Sequence, residues 1–490
     1  MTDVLARRVQ ASPDATALVG IGGREWTYRD LDERVEQVAG RLAALGVAGK
    51  HLGCLLETRP ATVVLVHAAA RLGCVLVPLN TRLTPAELDS HVERAELTTL
   101  VCGADTADTA VGLSADVPIA SVDDTEHAAI TALDSVSPAE FAPASREADE
   151  PAVMLATSGT TGEPKLVVLT TENLRASAVA SAFRLGITPD DRWFDPLAVY
   201  HMGGLAPIVR SALYGTAVVV SGEFDAETTL GALERFDCTG ISLVPTMLRR
   251  LLDAGSLADS LRFVLLGGAP ASEELIERCE ERGVPVHPTY GMTETASQVA
   301  TARPQEAFAH TGTVGRPLLS TDLSVLDGDG KPVDTGETGE LVVSGPTVFA
   351  GYYNDPDATA RAFSDRGFHT GDVGHRDAGG RLWVTGRRDE MISTGGELVA
   401  PGEIARMLRS HPAIDDAGVV GLPDSDWGER VGALVVGDVA DAEMVRDYCR
   451  ERLAGFKLPR TIAFADELPR TASGTVERAA VREQLLDASD

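Results

Sequence analysis

The chain has 490 residues, of which 44% are hydrophobic and 24% are charged, and this balance excludes a disordered chain, a collagen and a small disulfide scaffold. Lys and Arg number 43 against 73 Asp and Glu, so the formal net charge is −30 at pH 7. Such an acidic surface repels polyanions, which argues against a nucleic acid or an anionic membrane as the main partner. Only four of the positively charged residues are lysines. The excess of carboxylates together with so few lysines favours a cytosol of high salt, that is, a halophilic source. An acidic protein from a mesophile is the alternative.

The six cysteines lie far apart, mostly in apolar segments, and no two form a C-x-x-C pair. This pattern predicts free, buried thiols in a reducing compartment and argues against a zinc site. No apolar segment follows Arg7 and Arg8, so no signal peptide is expected, and the apolar stretch at 63–79 is interrupted by His67 and Arg71. We therefore expect a cytoplasmic protein without a membrane span.

Short apolar strands alternate with amphipathic helices in the first hundred residues. The helical spacing from Trp26 to Leu45 predicts a helix with Thr27 as its N-cap. Further elements are predicted as a strand at 53–56, a helix at 61–72, a strand at 75–77 and a helix after Thr84. Alternation of this kind is typical of parallel sheets with crossover helices. Residues 103–150 are expected to form short strands and a loose connector.

A second strand–helix series is predicted for residues 153–304, and a β-rich subdomain for 312–386. The last hundred residues are expected to form a separate unit, with a helix over 397–408 that starts near Pro401 and strands at 419–422 and 433–436. The predicted fold class is α/β. A large N-terminal domain, residues 1–386, has two βα sheets and the β-rich subdomain, and a small mobile α+β domain spans residues 387–490.

A loop rich in hydroxyls and glycines follows the apolar segment 152–155. It contains Thr157, Ser158, Gly159, Thr160, Thr161, Gly162 and Lys165. Glycines allow the backbone to approach an anion, and the hydroxyls, successive N–H groups and the lysine can bind phosphate. The loop lacks the spacing of a Walker A motif, and a flexible surface loop is the alternative interpretation.

The whole segment 157–165 (TSGTTGEPK) resembles the nucleotide loop of the AMP-forming acyl-adenylate synthetases, the superfamily of acyl-CoA ligases and luciferases. Four more segments resemble the same superfamily in its order along the chain: 288–294 (PTYGMTE), 369–372 (HTGD), 386–390 (GRRDE) and 395–404 (GGELVAPGEI). The resemblance covers essentially the whole chain. It implies a carboxylic acid as substrate, with ATP and Mg²⁺ for activation to an acyl-adenylate and CoA as the thiol that displaces AMP.

The resemblance also implies roles for single residues. Glu294 is similar to the carboxylate that coordinates Mg²⁺, and Thr293 to a donor to the α-phosphate. Tyr290, followed by Gly291, resembles the aromatic residue that stacks on adenine, and Gly268, Ala269 and Pro270 are expected to form a backbone wall of that pocket. Asp372 and Arg387 resemble the residues that bind ribose or phosphate, Asp389 the hinge of the small domain, and Gly395 and Gly396 a loop of the pantetheine channel.

One position departs from the superfamily pattern. Segment 468–478 (LPRTASGTVER) resembles a motif in which a catalytic lysine follows the Ser-Gly pair, and here that position holds Thr475. A unit charge pair at about 4 Å is worth roughly 4 kcal/mol at an effective dielectric constant of 20. Its loss slows adenylation by about three powers of ten unless a nearby arginine substitutes. A catalytically impaired protein that binds acyl-adenylate or AMP is therefore an alternative.

The segments that determine the acid resemble the o-succinylbenzoate–CoA ligases of menaquinone biosynthesis. They are 200–205 (YHMGGL), 210–215 (RSALYG) and 293–299 (TETASQV). A substrate with a second carboxylate and a ketone calls for a cation and polar donors, for which Arg210, Ser297 and Gln298 are candidates, and His201 is a candidate gate beside the reacting carboxylate. For Arg210, the alternative is an exposed position on a helix. For the substrate, the alternative is that the chain is another aryl- or medium-chain acyl-CoA ligase. The sequence leaves the oligomeric state open and allows a homo-oligomer.

Overall fold

The computed structural model describes residues 3–157, 165–394, 397–424, 427–439, 441–450, 452–453, 455–470 and 476–488. Of the predicted site residues, eight lie outside this part: Ser158, Gly159, Thr160, Thr161, Gly162, Gly395, Gly396 and Thr475. For the predicted hinge residue Asp389 only the backbone is described, in a 3₁₀ turn at Arg388–Glu390.

The first 135 residues contain the predicted alternation of strands and helices. The elements are α1 (Val4–Ala11), β1 (Thr16–Gly20), β2 (Glu25–Thr27), α2 (Tyr28–Ala44), β3 (His51–Leu55), α3 (Pro60–Arg71), β4 (Val75–Pro78), α4 (Pro85–Arg94), β5 (Thr99–Cys102), α5 (Ala107–Val111), β6 (Ile119–Ser121) and β7 (Ile130–Ala132). Thr27 caps α2 as predicted, because its hydroxyl accepts from Asp30 N while the Asp30 carboxylate accepts from Thr27 N.

The second series carries most of the candidate site. Its elements are β8 (Pro151–Thr157), β9 (Lys165–Thr170), α6 (Thr171–Leu185), β10 (Arg192–Asp195), α7 (Met202–Tyr214), β11 (Ala217–Val220), α8 (Ala226–Arg235), β12 (Gly240–Leu243), α9 (Pro245–Ala254), β13 (Phe263–Leu266), α10 (Glu273–Glu281), β14 (Val286–Tyr290), β15 (Ala300–Thr301) and α11 (Pro304–Ala309).

A β-rich segment and the C-terminal unit complete the chain. The elements are β16 (Arg316–Pro317), β17 (Asp322–Leu326), β18 (Gly339–Ser344), β19 (Gly351–Tyr352), α12 (Pro356–Ala362), β20 (Phe363–Ser364), β21 (Gly367–Arg376), β22 (Leu382–Arg387), β23 (Ile392–Thr394), β24 (Glu397–Val399), α13 (Pro401–Arg409), β25 (Asp416–Asp424), β26 (Gly428–Val436), α14 (Ala442–Arg450), β27 (Thr461–Phe464) and α15 (Arg478–Asp487).

Two large sheets form the N-terminal part. One has the order β16-β15-β14-β13-β12-β10-β11-β1-β2, and the other β19-β9-β8-β4-β3-β5-β6-β7. Their central strands are parallel, as the strand–helix alternation predicts, and antiparallel strands lie at the edges. An apolar core that includes residues of α2, α3 and α7 connects the two sheets.

The remaining strands form two smaller sheets. In the β-rich subdomain the order is β17-β18-β21-β20, with β22 paired to β21, and in the C-terminal unit it is β24-β23-β26-β25, with β27 paired to β26. Arg387, the first residue of the predicted small domain, pairs with Asp372 in the β-rich sheet. The helix predicted within 397–408, with its start near Pro401, begins at Pro401, while 397–399 at the front of that range form β24 in a hairpin with β23.

All six cysteines are free and buried, as predicted. No helix in the described ranges is both long enough and apolar enough to cross a membrane.

Candidate active site

The candidate nucleotide residues lie at the carboxyl edge of the sheet that contains β13 and β14. Strand β13 ends at Leu266 and leads into Gly267 and Gly268, and the neighbouring parallel strand β14 ends at Tyr290. Gly268 has φ +79°, and Ala269 and Pro270 are exposed beside it. In open α/β sheets ligands bind outside this edge, so the predicted adenine wall lies where a nucleotide is expected.

The loop after β14 is tightly folded around Thr293 and Glu294. A Cβ atom on Gly291 would lie 1.6 Å from the carbonyl oxygen of Ser297, so only glycine fits there. Thr293–Thr295 form a 3₁₀ turn, and Ala296 and Ser297 have φ +50° and +112°. Non-glycine residues in this region store backbone strain, which is typical of functional loops.

Glu294 lies in a largely buried position, where Tyr352 donates from its hydroxyl to Glu294 Oε1 at 3.1 Å. The Nζ atom of Lys165 lies 4.8 Å from the centroid of the Tyr352 ring. Burial raises the pKa of Glu294, although the Tyr352 hydroxyl and the charges of Arg387 and Lys165 oppose this shift. A buried carboxylate whose direct partner is a neutral hydroxyl fits a hard divalent cation such as Mg²⁺.

Asp372 connects the β-rich subdomain to the end of β14. Tyr290 donates from its hydroxyl to Asp372 Oδ2 at 2.6 Å, and Arg387 Nη1 donates to Asp372 Oδ1 at 3.3 Å. Arg387 Nη1 also donates to the carbonyl oxygen of Thr370 at 3.0 Å. Three predicted nucleotide residues, which are distant in sequence, therefore form one hydrogen-bonded group.

His201 is the N-cap residue of α7 and remains exposed to solvent. Its ring lies edge-on to Tyr200, with the centroids 4.7 Å apart. Partial enclosure and the charge of Arg82 lower the pKa of His201, which favours the neutral imidazole. The start of α7 packs closely, because a Cβ atom on Gly204 would lie 2.5 Å from the carbonyl oxygens of Leu197 and Ala198.

Arg210 is buried, with 6% of its surface exposed, so the alternative of an exposed helix residue is wrong. Its guanidinium donates to Ser177 Oγ at 2.9 Å, to Ser181 Oγ at 3.3 Å and to Gln298 Oε1 at 3.1 Å. Within the described ranges no carboxylate forms an ion pair with it, and burial lowers its pKa. A buried cation with only neutral partners is costly, and a carboxylate ligand would offset that cost.

The Arg210 cluster and the Glu294 loop share hydrogen bonds. Ser177 donates from its hydroxyl to the carbonyl oxygen of Ala296 at 2.6 Å, and Gln298 Nε2 donates to Thr301 Oγ1 at 2.8 Å. The Gln298 side chain thus positions Arg210 through its Oε1 atom, and its Nε2 atom is held by Thr301. Ser297 is half-buried in the same loop.

Three further residues belong to these hydrogen-bonded groups but were not predicted from the sequence: Tyr352, Ser177 and Ser181. Tyr352 lies 58 residues from Glu294, and no spacing links the two. For the serines a signal exists, since Ser177 and Ser181 are four residues apart and therefore share one face of α6.

Comparisons with known proteins place the chain in a family. The model described as AMP-binding enzyme matches residues 5–353, and the one described as AMP-binding enzyme C-terminal domain matches residues 403–475. The chain belongs to the AMP-binding enzyme family. The predicted superfamily and the prediction of an AMP-forming ligase are thereby confirmed.

Among its relatives are two 2-succinylbenzoate–CoA ligases. That of Bacillus cereus (strain Q1) is 37% identical over 493 residues, and that of Listeria monocytogenes serotype 4b (strain F2365) is 36% identical over 489 residues; each alignment covers 99% of both chains.

Solved structures of related enzymes are also similar to this chain over nearly its full length. The o-succinylbenzoate CoA synthetase from Bacillus subtilis, in complex with its acyl-adenylate intermediate, matches with a TM-score of 0.89 and 35% identity over 98% of each chain. The same enzyme with ATP and a magnesium ion matches with a TM-score of 0.88 and 35% identity, over 99% of this chain and 100% of that one. ATP-bound MatB from Rhodopseudomonas palustris has a TM-score of 0.89 at 29% identity over 100% of both chains. The predicted fold class is confirmed.

Proposed function

We propose that the protein is a 2-succinylbenzoate–CoA ligase. It activates the aliphatic carboxylate of 2-succinylbenzoate with ATP, releases diphosphate, and transfers the acyl group from the adenylate to CoA, releasing AMP. The observation that carries the choice of acid is Arg210, a buried guanidinium with hydroxyl and amide partners only, linked to the loop of Glu294. Full-length similarity to 2-succinylbenzoate–CoA ligases supports it.

In this proposal the nucleotide binds along the edge formed by Gly268, Tyr290 and Asp372. The Tyr290 ring stacks on adenine and is fixed by its bond to Asp372, while Asp372 and Arg387 bind the ribose. Thr293, Lys165 and the 157–162 loop bind the phosphates. Glu294 holds Mg²⁺, which neutralises charge on the phosphate oxygens when bound.

The acid binds between α6, α7 and the Glu294 loop. Arg210 binds the carboxylate that does not react, while Ser297 and Gln298 contribute polar contacts near the ketone. His201, neutral at pH 7, lies at the start of α7 as the gate beside the reacting carboxylate. Positioning and charge neutralisation supply most of the rate acceleration.

The test is a panel of acids with the purified enzyme, ATP, Mg²⁺ and CoA. We expect the highest kcat/KM for 2-succinylbenzoate, with benzoate and octanoate at least about a hundredfold lower, because they leave the Arg210 charge unpaired. A higher kcat/KM for a monocarboxylate than for 2-succinylbenzoate would favour another aryl- or medium-chain acyl-CoA ligase.

Thr475 decides whether the adenylation step is fast. A Thr475→Lys variant should release diphosphate faster by up to about three powers of ten, while thioester formation from preformed adenylate changes little. An unchanged rate of diphosphate release would mean that another cation, such as Arg470 or Arg478, already fills the role. Absence of diphosphate release in both proteins would favour the impaired binding protein.

We further propose that the enzyme works in the cytoplasm. The six buried free thiols support a reducing compartment, and the net charge of −30 supports high intracellular salt.

A further inference from the structure

A cavity lies beside the first residues of β8. It measures about 110 Å³ and is lined by residues of α1, α3, β4, β8, α6 and α7. Most of the lining is aliphatic, including Leu5, Val66, Leu76, Leu174 and Val209. The volume approaches that of an engineered apolar cavity, about 150 Å³, that binds benzene.

The cavity adjoins a wider groove between α1, α6 and α7. This groove measures about 380 Å³ and shares Val4, Arg175, Ala212 and Leu213 with the cavity. An apolar chain can therefore extend from the groove into the cavity. Ala70, in the last turn of α3, also lines the cavity and is exposed to solvent.

Three arginines line the groove, namely Arg7, Arg8 and Arg175. Arg8 donates from Nε to Ala212 O at 3.0 Å and from Nη2 to Leu213 O at 2.5 Å, so it is fixed at the end of α7. Arg7 and Arg175 are exposed and form no salt bridge with any described residue. In a protein of net charge −30, this cluster is a local concentration of positive charge.

The carboxylate nearest the cavity is already neutralised. Asp3 accepts from Leu5 N and Ala6 N at the start of α1 and forms an ion pair with Arg71 at 2.5 Å. Arg71 is buried and also pairs with Asp32 and Glu36. The polar groups deeper in the cavity are His67, whose pKa burial lowers to about 4, and Arg146, which donates to the carbonyl oxygen of Cys74. A ligand anion therefore meets arginines at the groove, and behind them lies a mostly apolar chamber in which the guanidinium of Arg146 is bonded to the Cys74 carbonyl.

We propose that this cavity and groove bind an apolar monocarboxylate, with the carboxylate at Arg7 and Arg175 and the hydrocarbon in the chamber. An inorganic anion would leave the chamber unfilled, and a neutral hydrocarbon would leave the arginines unpaired.

The site shares its two walls with the candidate acid site. Helix α6 lines the cavity with Leu174 and Arg175 and bonds Arg210 through Ser177 and Ser181, one to two turns further along. Helix α7 lines it with Val209, next to Arg210. A ligand here therefore acts on the helices that position Arg210; this coupling, unlike the binding, rests on the proposed function.

Binding is tested by calorimetry with octanoate as the probe, at 0.1 M KCl, on the full chain. Octanoate should bind with one-to-one stoichiometry and still bind when 2-succinylbenzoate is saturating, while octanol and inorganic phosphate bind at least about tenfold more weakly. The double variant Arg7→Ala/Arg175→Ala should weaken octanoate by at least about fivefold per arginine, and Arg249→Ala, which removes an exposed arginine of α9, should not.

A second variant tests the chamber without removing charge. Ala70→Phe directs a ring against the cavity from an exposed position of its lining, so the protein should keep its unfolding midpoint and lose octanoate binding. Octanoate binding that is displaced by 2-succinylbenzoate, or that is unchanged in both the arginine and the Ala70 variants, would overturn the proposal. Neither readout depends on turnover, so failure of the proposed ligase activity would be seen separately.

Discussion

Arg210 is the residue on which the proposed choice of acid depends. Its partners Ser177, Ser181 and Gln298 fix the guanidinium but carry no charge, and they belong to two different elements of the site. A structural arginine at such a depth is normally paired with a carboxylate. The substrate carboxylate is the partner that the proposed function supplies.

Replacing Arg210 should therefore change selectivity more than stability. Arg210→Met should lower kcat/KM for 2-succinylbenzoate by about a hundredfold or more and that for benzoate by less than tenfold, because only the first substrate has a second carboxylate. The measurement is kcat/KM for both acids, with the unfolding midpoint as control. Arg249→Ala should change neither value. Equal losses for the two acids would remove Arg210 from the substrate pocket.

At the scale of elements, the loop 291–298 joins the two halves of the site. It begins at the end of β14, carries Glu294, and returns through Ser297 to the Gln298 amide that bonds Arg210. The close approach of Gly291 to the Ser297 carbonyl closes the loop. Its geometry thus fixes Glu294, the proposed metal ligand, relative to Arg210, the proposed partner of the acid.

Gly291→Ala should break this loop. A Cβ atom 1.6 Å from Ser297 O forces the backbone to move, so we expect diphosphate release to fall by at least about a hundredfold while the remainder of the fold persists. The matched control is Gly231→Ala in α8, where a Cβ atom meets nothing within 4 Å; it should leave activity unchanged and stabilise the protein by about 0.5–1 kcal/mol. Wild-type activity in Gly291→Ala would contradict the account of the loop.

Strand β10 ends in a buried carboxyl that tests the electrostatics of this sheet edge. Asp195 is fully buried, its Oδ1 accepts from Leu197 N at 3.4 Å, and its Oδ2 has no hydrogen-bond partner in the described part of the chain. Burial raises the pKa of Asp195 well above its ordinary value. The folded state therefore retains a proton that the unfolded state has lost, and the free energy of unfolding falls as pH rises from the unfolded pKa to the folded one.

Asp195→Asn removes this proton linkage while keeping the shape of the neutral acid. The free energy of unfolding of the variant minus that of the wild type should grow with pH between 5 and 8, by up to about 1.4 kcal/mol per pH unit. Urea unfolding at a series of pH values measures it. Asp259→Asn, at an exposed position, should give a difference that does not vary with pH. Parallel curves for Asp195→Asn and the wild type would show that Asp195 is ionised in the folded protein.

Local elements were predictable where one segment contains its own signals. Thr27 and the apolar spacing after it predict α2, and Thr84 followed by Pro85 predicts α4. Residues 397–399 lack such local signals, because Glu, Leu and Val suit either a helix or a strand, and pairing with β23 decides their structure. The contacts of the site were predictable only through family resemblance, because Tyr290 and Asp372 are 82 residues apart and Tyr352 belongs to no recognised motif.

At the scale of the whole molecule, the excess of 30 negative charges acts on every part of the fold. Like charges repel within the compact state, and salt screens this repulsion over a Debye length of about 10 Å at 0.1 M and 3 Å at 1 M.

The thermal unfolding midpoint should therefore rise with KCl. Between 0.1 and 2 M we expect an increase of at least about 5 °C, because self-repulsion is screened. Sorbitol at equal osmolarity is the control for a general solvent effect and should raise the midpoint less. A midpoint that does not change with KCl would contradict the proposal of adaptation to high salt.

In the proposed function, a carboxylic acid is activated as its adenylate in the cleft around Glu294. The most direct measurement is a single turnover without CoA, in which enzyme, ATP, Mg²⁺ and 2-succinylbenzoate are mixed, quenched and analysed by mass spectrometry. The wild type should accumulate succinylbenzoyl-adenylate and diphosphate in amounts equal to the enzyme, and Glu294→Gln should form them at least about a hundredfold more slowly. Absence of both products at every salt concentration, or equal rates in the two proteins, would contradict the account.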